Sequence, residues 1–343
     1  MSLLTLLLVS AAPAATEVVP LSDRSMREFD LSLPAEAWRP VTDLLPIPHA
    51  GGEGFAVRTA GVGLELDTDG DGEFDRVVEG KFDELTSERS AWVRLEGQRA
   101  DGSPLQYAVR LLDKGEGWQW AASGCVQGKL GTTRIRVVDL NGDGRFDGVG
   151  EDAMILGGGR IASLLSSAIL VEGELRSLDV SADGSSFTLG DYAGETGRLD
   201  AKSSMGTDGK LLAAVVVSAD RQLSFDLALL PADAEIPVGE YRIAYGVLGL
   251  GAARLSLGPG KSEPIQVTSD AEQVLEWGGP ARAEFSYRRE GGEVLLSPNE
   301  VWYYGTAGEE YFGWTPIGKS PEFTIKETAL GTELEKALFP GSC

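Results

Sequence analysis

The sequence predicts a mainly β protein of two or three sandwich- or barrel-like domains with few short helices. Three observations carry this. Polar and apolar residues alternate in short runs such as Leu64-Glu65-Leu66, Tyr107–Leu111, Arg134–Val138 and Glu284–Tyr287, the period-two signature of strands with one buried face. Gly, Asp and Pro interrupt these runs at short intervals, with Gly alone at 45 of 343 residues, which supplies the turns of antiparallel sheets. Helical spacing is rare. Ile161, Leu164, Leu165, Ala168 and Ile169 predict one short helix after Gly157–Gly159, and Pro34–Trp38 predicts a single helical turn.

In chain order, residues 1–15 predict a signal peptide. The apolar run Leu3–Val9 leads into the small residues Ser10–Ala15, and the first charge is Glu17. No Lys or Arg precedes the run, and the alternative is a buried N-terminal strand. No later stretch reaches the roughly 18 apolar residues of a membrane-spanning helix. An exported chain, periplasmic or extracellular, is therefore expected. Residues 17–165 predict an N-terminal β domain with two Asp-rich loops, 166–279 a central β domain, and 280–343 a small C-terminal sandwich. Gly278-Gly279-Pro280 would be the hinge before the last.

Composition excludes several function classes. Fifty-three Asp and Glu against 30 Lys and Arg give a net charge of −23, which repels nucleic-acid phosphates and anionic membranes. One His and two Cys rule out a multi-His zinc or iron site, a four-Cys zinc site and an iron–sulfur cluster within the chain. In an oxidising compartment Cys125 and Cys343 can pair; two free or intermolecular thiols are the alternative.

The most informative segments are Asp67–Asp75 (DTDGDGEFD) and Asp139–Asp147 (DLNGDGRFD). Both read D-x-[DN]-x-D-G-x-F-D. Calcium takes about six to eight oxygens at about 2.3–2.6 Å. Side chains at positions 1, 3 and 5 of a tight loop converge on one point: Asp67, Asp69 and Asp71 in the first, Asp139, Asn141 and Asp143 in the second. Gly72 and Gly144 permit the sharp turn at position 6. Glu73 and Arg145 offer main-chain oxygens at position 7, and Asp75 and Asp147 stand at position 9. Position 12 holds Val78 and Gly150, with Glu79 and Glu151 one place later; Glu79, Glu151, Asp152 or water would complete each shell. Strands enter both loops, so calcium-binding hairpins inside β domains are expected, with two Ca2+ sites. The alternative is an acidic β-turn without an ion. Asp179–Gly184 is a degenerate third copy, read as a β-turn.

These spacings resemble the calcium loops of EF-hands, dockerins and integrin-type β-propellers. They depart from EF-hands in lacking the Glu at position 12 and in their strand flanks. Pro237-Val238-Gly239-Glu240-Tyr241 resembles the P-x-G-x-Y strand entry of transthyretin-like and carboxypeptidase-regulatory-like sandwiches, which implies a tight turn leading into a core strand. The whole chain resembles uncharacterised exported multidomain β-proteins of Gram-negative bacteria in which such hairpins precede sandwich domains. That resemblance implies no activity.

Catalysis finds little in the residues. There is no G-x-S-x-G, and His49 is the only imidazole, in a Pro- and Gly-rich loop where a structural role is expected. Trp302, Tyr304 and Trp314 are candidate sugar-stacking aromatics beside Glu309 and Glu310, with core packing as the alternative. The expected function is an exported calcium-binding β-protein with a structural, adhesive or binding role. Its partners would be a polysaccharide or another envelope protein. The alternative is a glycoside hydrolase using paired carboxylates, or a carbohydrate-binding module.

Overall fold

The computed structural model describes residues 16–34, 36–291, 293–315 and 322–338. The expected signal peptide and Cys343 lie outside the described residues. Within them the chain forms 31 strands and no helix. No described helix is long and apolar enough to cross a membrane.

The short helix expected at Ile161–Ile169 is instead the strands Ser163–Leu164 and Ala168–Val171. Its physical reason is burial on every side. Ser163 and Ser166 are as buried as Leu164 and Leu165, so there is no apolar stripe with a polar back. Ser166 Oγ donates to the Ala168 carbonyl at 2.6 Å, closing a turn between the two strands. Glu36–Trp38, expected to be helical, are irregular.

The chain divides into two compact units, one of Met1–Gly194 with Arg221–Ser224, the other of Glu195–Asp220 with Phe225–Cys343. Strand pairing runs across both of the expected junctions. Glu17–Pro20 pairs with Ser186–Asp191, and Ala253–Gly258 pairs with Glu310–Thr315.

The first unit contains four antiparallel sheets. Two of them carry the acidic loops. Gly63–Leu66 pairs with Arg76–Val78, so Asp67–Asp75 is a hairpin connection. Thr133–Val138 pairs with Ala153–Leu156, so the second acidic loop is another. The expected alternation sets which side chains enter the core here: Leu64, Leu66, Ile135, Val137, Trp118 and Trp120 are all buried. Glu284–Tyr287, which alternates likewise, lies in a strand exposed on both faces, because nothing among the described residues packs on it. Loss of water around such side chains contributes about 1.5–3 kcal/mol each.

The second unit is built on a sheet whose path runs through Lys210–Ser218, Gly239–Leu250, Ala253–Gly258, Glu310–Thr315, Glu293–Tyr304 and Arg282–Glu290. The Pro237–Tyr241 segment does enter a core strand. Tyr241 is fully buried, packs edge-on to Phe225 at 6.2 Å, and donates its hydroxyl to the Pro237 carbonyl at 2.8 Å. A tyrosine bonded back to its own strand entry fixes the corner. The Gly278–Pro280 segment is a tie point and does not form a free hinge. Gly206 N–H donates to the Trp277 carbonyl, Gly279 N–H to the Gly206 carbonyl, and Gly278 N–H to Glu309 Oε1.

Tyr241→Phe keeps the ring but strands a buried carbonyl. It is expected to lower unfolding free energy by about 1–3 kcal/mol, measured by urea denaturation; an unchanged midpoint would show that the hydroxyl does not hold the corner.

Candidate metal centre

Each acidic loop is organised by its first residue. Asp67 is buried at 3% exposure and Asp139 at 2%. Asp67 Oδ1 accepts from Gly70 N–H at 2.7 Å and Asp69 N–H at 3.3 Å, and its Oδ2 accepts from Gly72 N–H at 2.9 Å. Asp139 makes the same bonds to the fourth and sixth positions: Gly142 N–H at 2.7 Å and Gly144 N–H at 2.7 Å. The fifth residue then caps the seventh, Asp71 accepting from Glu73 N–H and Asp143 from Arg145 N–H. This winding needs left-handed backbone at positions 4 and 6. Gly70, Gly72, Gly142 and Gly144 have φ of 75°, 90°, 69° and 77°, values that side chains with a Cβ rarely adopt. Glycine at position 4 is required as much as the one at position 6, and both copies carry it.

In the first loop the winding brings Asp67, Asp69 and Asp71 together, one carboxylate oxygen from each lying within 4.8 Å of the others. Oxygens bound to one Ca2+ are separated by at most twice the bond length, about 5 Å, so the donor set fits. Loss of solvent, with the charges of Asp71, Asp75 and Asp67, raises the Asp69 pKa from its ordinary value. Asp75 is turned to Thr68, accepting from its N–H at 2.9 Å and its hydroxyl at 2.7 Å. Glu73 and Glu79 are exposed and outside the triad.

The second loop has the same backbone but its acids have other partners. Asp139 Oδ2 also accepts the Tyr107 hydroxyl at 2.6 Å. Arg145, expected only as a carbonyl donor, turns its guanidinium onto Asp147 at 2.7 Å. Asn141 Nδ2 donates to Asp143 Oδ2 at 3.2 Å and to Glu151 Oε2 at 3.1 Å, so Glu151 does reach the loop. Asp152, fully buried, accepts from Leu140 N–H at 3.1 Å and Gly148 N–H at 2.9 Å, which closes the longer loop across its base. Burial pushes Asp139 up to about 6 despite its hydrogen bonds. Burial and then the Asp139 charge push Asp152 up to about 8.

His49 is structural. Its Nδ1 accepts from Gly51 N–H at 3.1 Å, which makes Nε2 the protonated nitrogen, donating to the Gly54 carbonyl at 3.2 Å. Its ring lies against Phe55 at 4.4 Å and under the first loop, where a Cβ at Gly70 would fall 2.7 Å from His49 Cε1. The neighbouring residues support the second loop, since a Cβ at Gly144 would fall 2.3 Å from the Pro46 carbonyl oxygen. One segment, Pro46–His49, therefore packs against both loops. Sequence reasoning missed this and Tyr107, because nothing local links them to the loops; it missed Thr68 because the D-x-[DN] pattern leaves position 2 open. The repeated phenylalanines also diverge: Phe146 is buried beside Tyr107, whereas Phe74 is 38% exposed under the Arg58 guanidinium. In the degenerate Asp179–Gly184 segment, Asp179 and Val180 end a strand and Ser181–Gly184 form the expected turn, whose Ala182 carbonyl accepts Phe146 N–H at 3.0 Å.

The remaining candidates fall elsewhere. Trp302 and Tyr304 are half-buried in the Glu293–Tyr304 strand, with Lys261 Nζ 4.6 Å from the Tyr304 ring centre. The side chain of Trp314 lies outside the described ones. Glu309 is fully buried and accepts from Gly278 N–H, Ala307 N–H and the Tyr311 hydroxyl, which makes it a structural acid. Cys125 is buried and has no disulfide partner among the described residues, and burial pushes its thiol up to about 11; its expected partner Cys343 lies outside them.

A carboxyl that protonates more readily folded than unfolded stabilises the fold while protonated. The Asp139–Asp152 contribution is complete below about pH 4 and is lost as pH rises through about 6 and then about 8. In chelator, the melting temperature is expected to fall across this window. A temperature rising steadily from pH 5 to 9 would contradict it. Compared with protein-family models, curated proteins and solved structures, the chain matches none of them significantly.

Proposed function

We propose that the protein is an exported calcium-binding β-protein with a structural, adhesive or binding role, in which Ca2+ stabilises the two acidic hairpins. The observation that supports it is the convergence of Asp67, Asp69 and Asp71 on a loop already wound by backbone hydrogen bonds. The donors are all carboxylate oxygens, the chemistry of a hard cation. Mg2+ suits the site less well, since it keeps several waters and demands stricter octahedral geometry. A bound ion would offset the mutual repulsion of the three acids. In the second loop, Asp139, Asn141, Asp143, the Arg145 carbonyl, Asp147 and Glu151 would serve the second ion by the same construction. Its binding would draw Asp147 from Arg145.

A folded-state ligand at a hundredfold excess over its Kd stabilises by about 2.7 kcal/mol. Chelation should therefore lower the melting temperature by several degrees, and added Ca2+ should restore it, read by differential scanning calorimetry. Asp69→Ala, an exposed position, should abolish the contribution of the first loop with little change in the calcium-free melt. Asp67→Ala and Asp139→Ala should each remove part of the response. No shift on chelation and no heat in a calcium titration would sink the proposal. For the partner, the calcium-loaded protein is expected to retain polysaccharides on a glycan array without releasing reducing sugar; release would favour the hydrolase.

A further inference from the structure

The Arg282–Glu290 strand ends the large sheet of the second unit, and all nine of its residues are exposed. Its inner edge pairs with Glu293–Tyr304. Among the described residues nothing pairs with its outer edge. An open edge of this length presents unpaired N–H and C=O groups to any strand that fits, and proteins ordinarily blunt it with charges or a bulge. Here the inner partner carries the irregularity, between the pairs Phe285–Val301 and Tyr287–Leu296, while Arg282–Glu290 itself runs on unbroken.

The charges on this edge follow a particular order, R-A-E-F-S-Y-R-R-E. Turned end for end about Ser286, the strand is complementary to itself. Arg282 meets Glu290, Glu284 meets Arg288, and Phe285 meets Tyr287, each pair occurring twice about a two-fold axis. Residues directly opposite in an antiparallel pair share a face. One face would then hold four alternating ion pairs around a Ser286–Ser286 contact. The other would hold two Phe285–Tyr287 pairs flanked by Arg289. Phe285 and Tyr287 are each 55% exposed, so this pairing would cover one flank of each ring.

We propose that a second copy of this chain is the occupant of the edge, joined antiparallel through Arg282–Glu290 into one continuous sheet centred on Ser286. Charge selects the register. With the two-fold axis normal to the sheet, opposed residues must have the same parity, so the nearest alternatives are centred on Phe285 or Tyr287. The first opposes Arg282 with Arg288, and the second opposes Glu284 with Glu290; like charges directly opposite are unfavourable. The contacts these side chains make within one copy are exposed: Glu284 with Lys261, Arg288 Nε with Glu290 Oε1 at 3.5 Å, and the Arg289 guanidinium 5.9 Å from the Tyr287 ring centre. Exposed pairs of this kind are weak and can be exchanged across the axis.

Sedimentation equilibrium of the full chain is expected to show a concentration-dependent dimer that weakens as salt is raised. Glu284→Arg and Arg288→Glu should each weaken it about tenfold. The double variant, with the two charges exchanged, should dimerise as the parent does. An equimolar mixture of the two single variants should form a heterodimer tighter than either homodimer. Circular dichroism checks that the exposed substitutions leave the fold intact. A chain that stays monomeric at every concentration overturns the proposal, as does a dimer indifferent to the single changes or not restored by the exchange.

Discussion

The buried aspartate that opens each acidic hairpin is the interaction from which the rest of the N-terminal unit follows. A carboxylate removed from water costs several kcal/mol unless its oxygens are satisfied. Asp67 and Asp139 meet that demand with the backbone N–H groups of their own loops. The loop must curl around the carboxylate to present them, and glycine at the fourth and sixth positions lets it do so without strain. Once wound, the third and fifth side chains point outward as neighbours. The candidate ion site is thus a by-product of hydrogen bonds that the backbone makes in any case. The second hairpin is pinned again by Asp152; burial raises both pKa values, and the Asp139 charge adds to the rise at Asp152.

Supports converge on the loops from distant parts of the same unit. Pro46–His49 packs against Gly70 and Gly144. The Asp179–Gly184 turn receives Phe146, and a Cβ at Gly184 would fall 2.6 Å from that ring. Arg99, 7% exposed, ties this turn to the core, donating to the Asp183 carbonyl at 3.1 Å and pairing with Asp23 at 2.6 Å. Breaking one side of such a buried pair typically costs about 3–5 kcal/mol. The protein's single histidine and several of its buried charges are thereby committed to shape.

In the second unit, buried polar groups again fix the strand entries. Tyr241 holds one corner. Glu309 draws Gly278 N–H, Ala307 N–H and the Tyr311 hydroxyl together, and Trp277 Nε1 donates to the Ala201 carbonyl at 2.9 Å. Beyond these ties the character of the chain changes. Arg282–Glu290 is exposed throughout, and Leu330, Leu334 and Leu338 are each more than 60% exposed. The core of this unit rests on the strands between Lys210 and Gly258, and the outer strands carry surface.

The sequence by itself determined the mainly β character, the hairpin setting of both Asp-rich loops and the turn within Asp179–Gly184. All of these depend on period-two patterning or on residues within one turn of each other, so the information is local. The helix assigned to Ile161–Ile169 failed because spacing alone cannot tell a one-sided apolar stripe from a segment buried all round. Only the tertiary structure decided that Asp139 faces Tyr107, that Arg145 takes Asp147, that one Pro–His segment underlies both loops, and that Gly278–Pro280 is fastened. It also showed two loops of one spacing to differ, with three acids converging in the first and protein donors engaging the second. Most of these depend on a partner tens of residues away, and the Arg145–Asp147 pair on which way a side chain turns; a spacing rule contains neither.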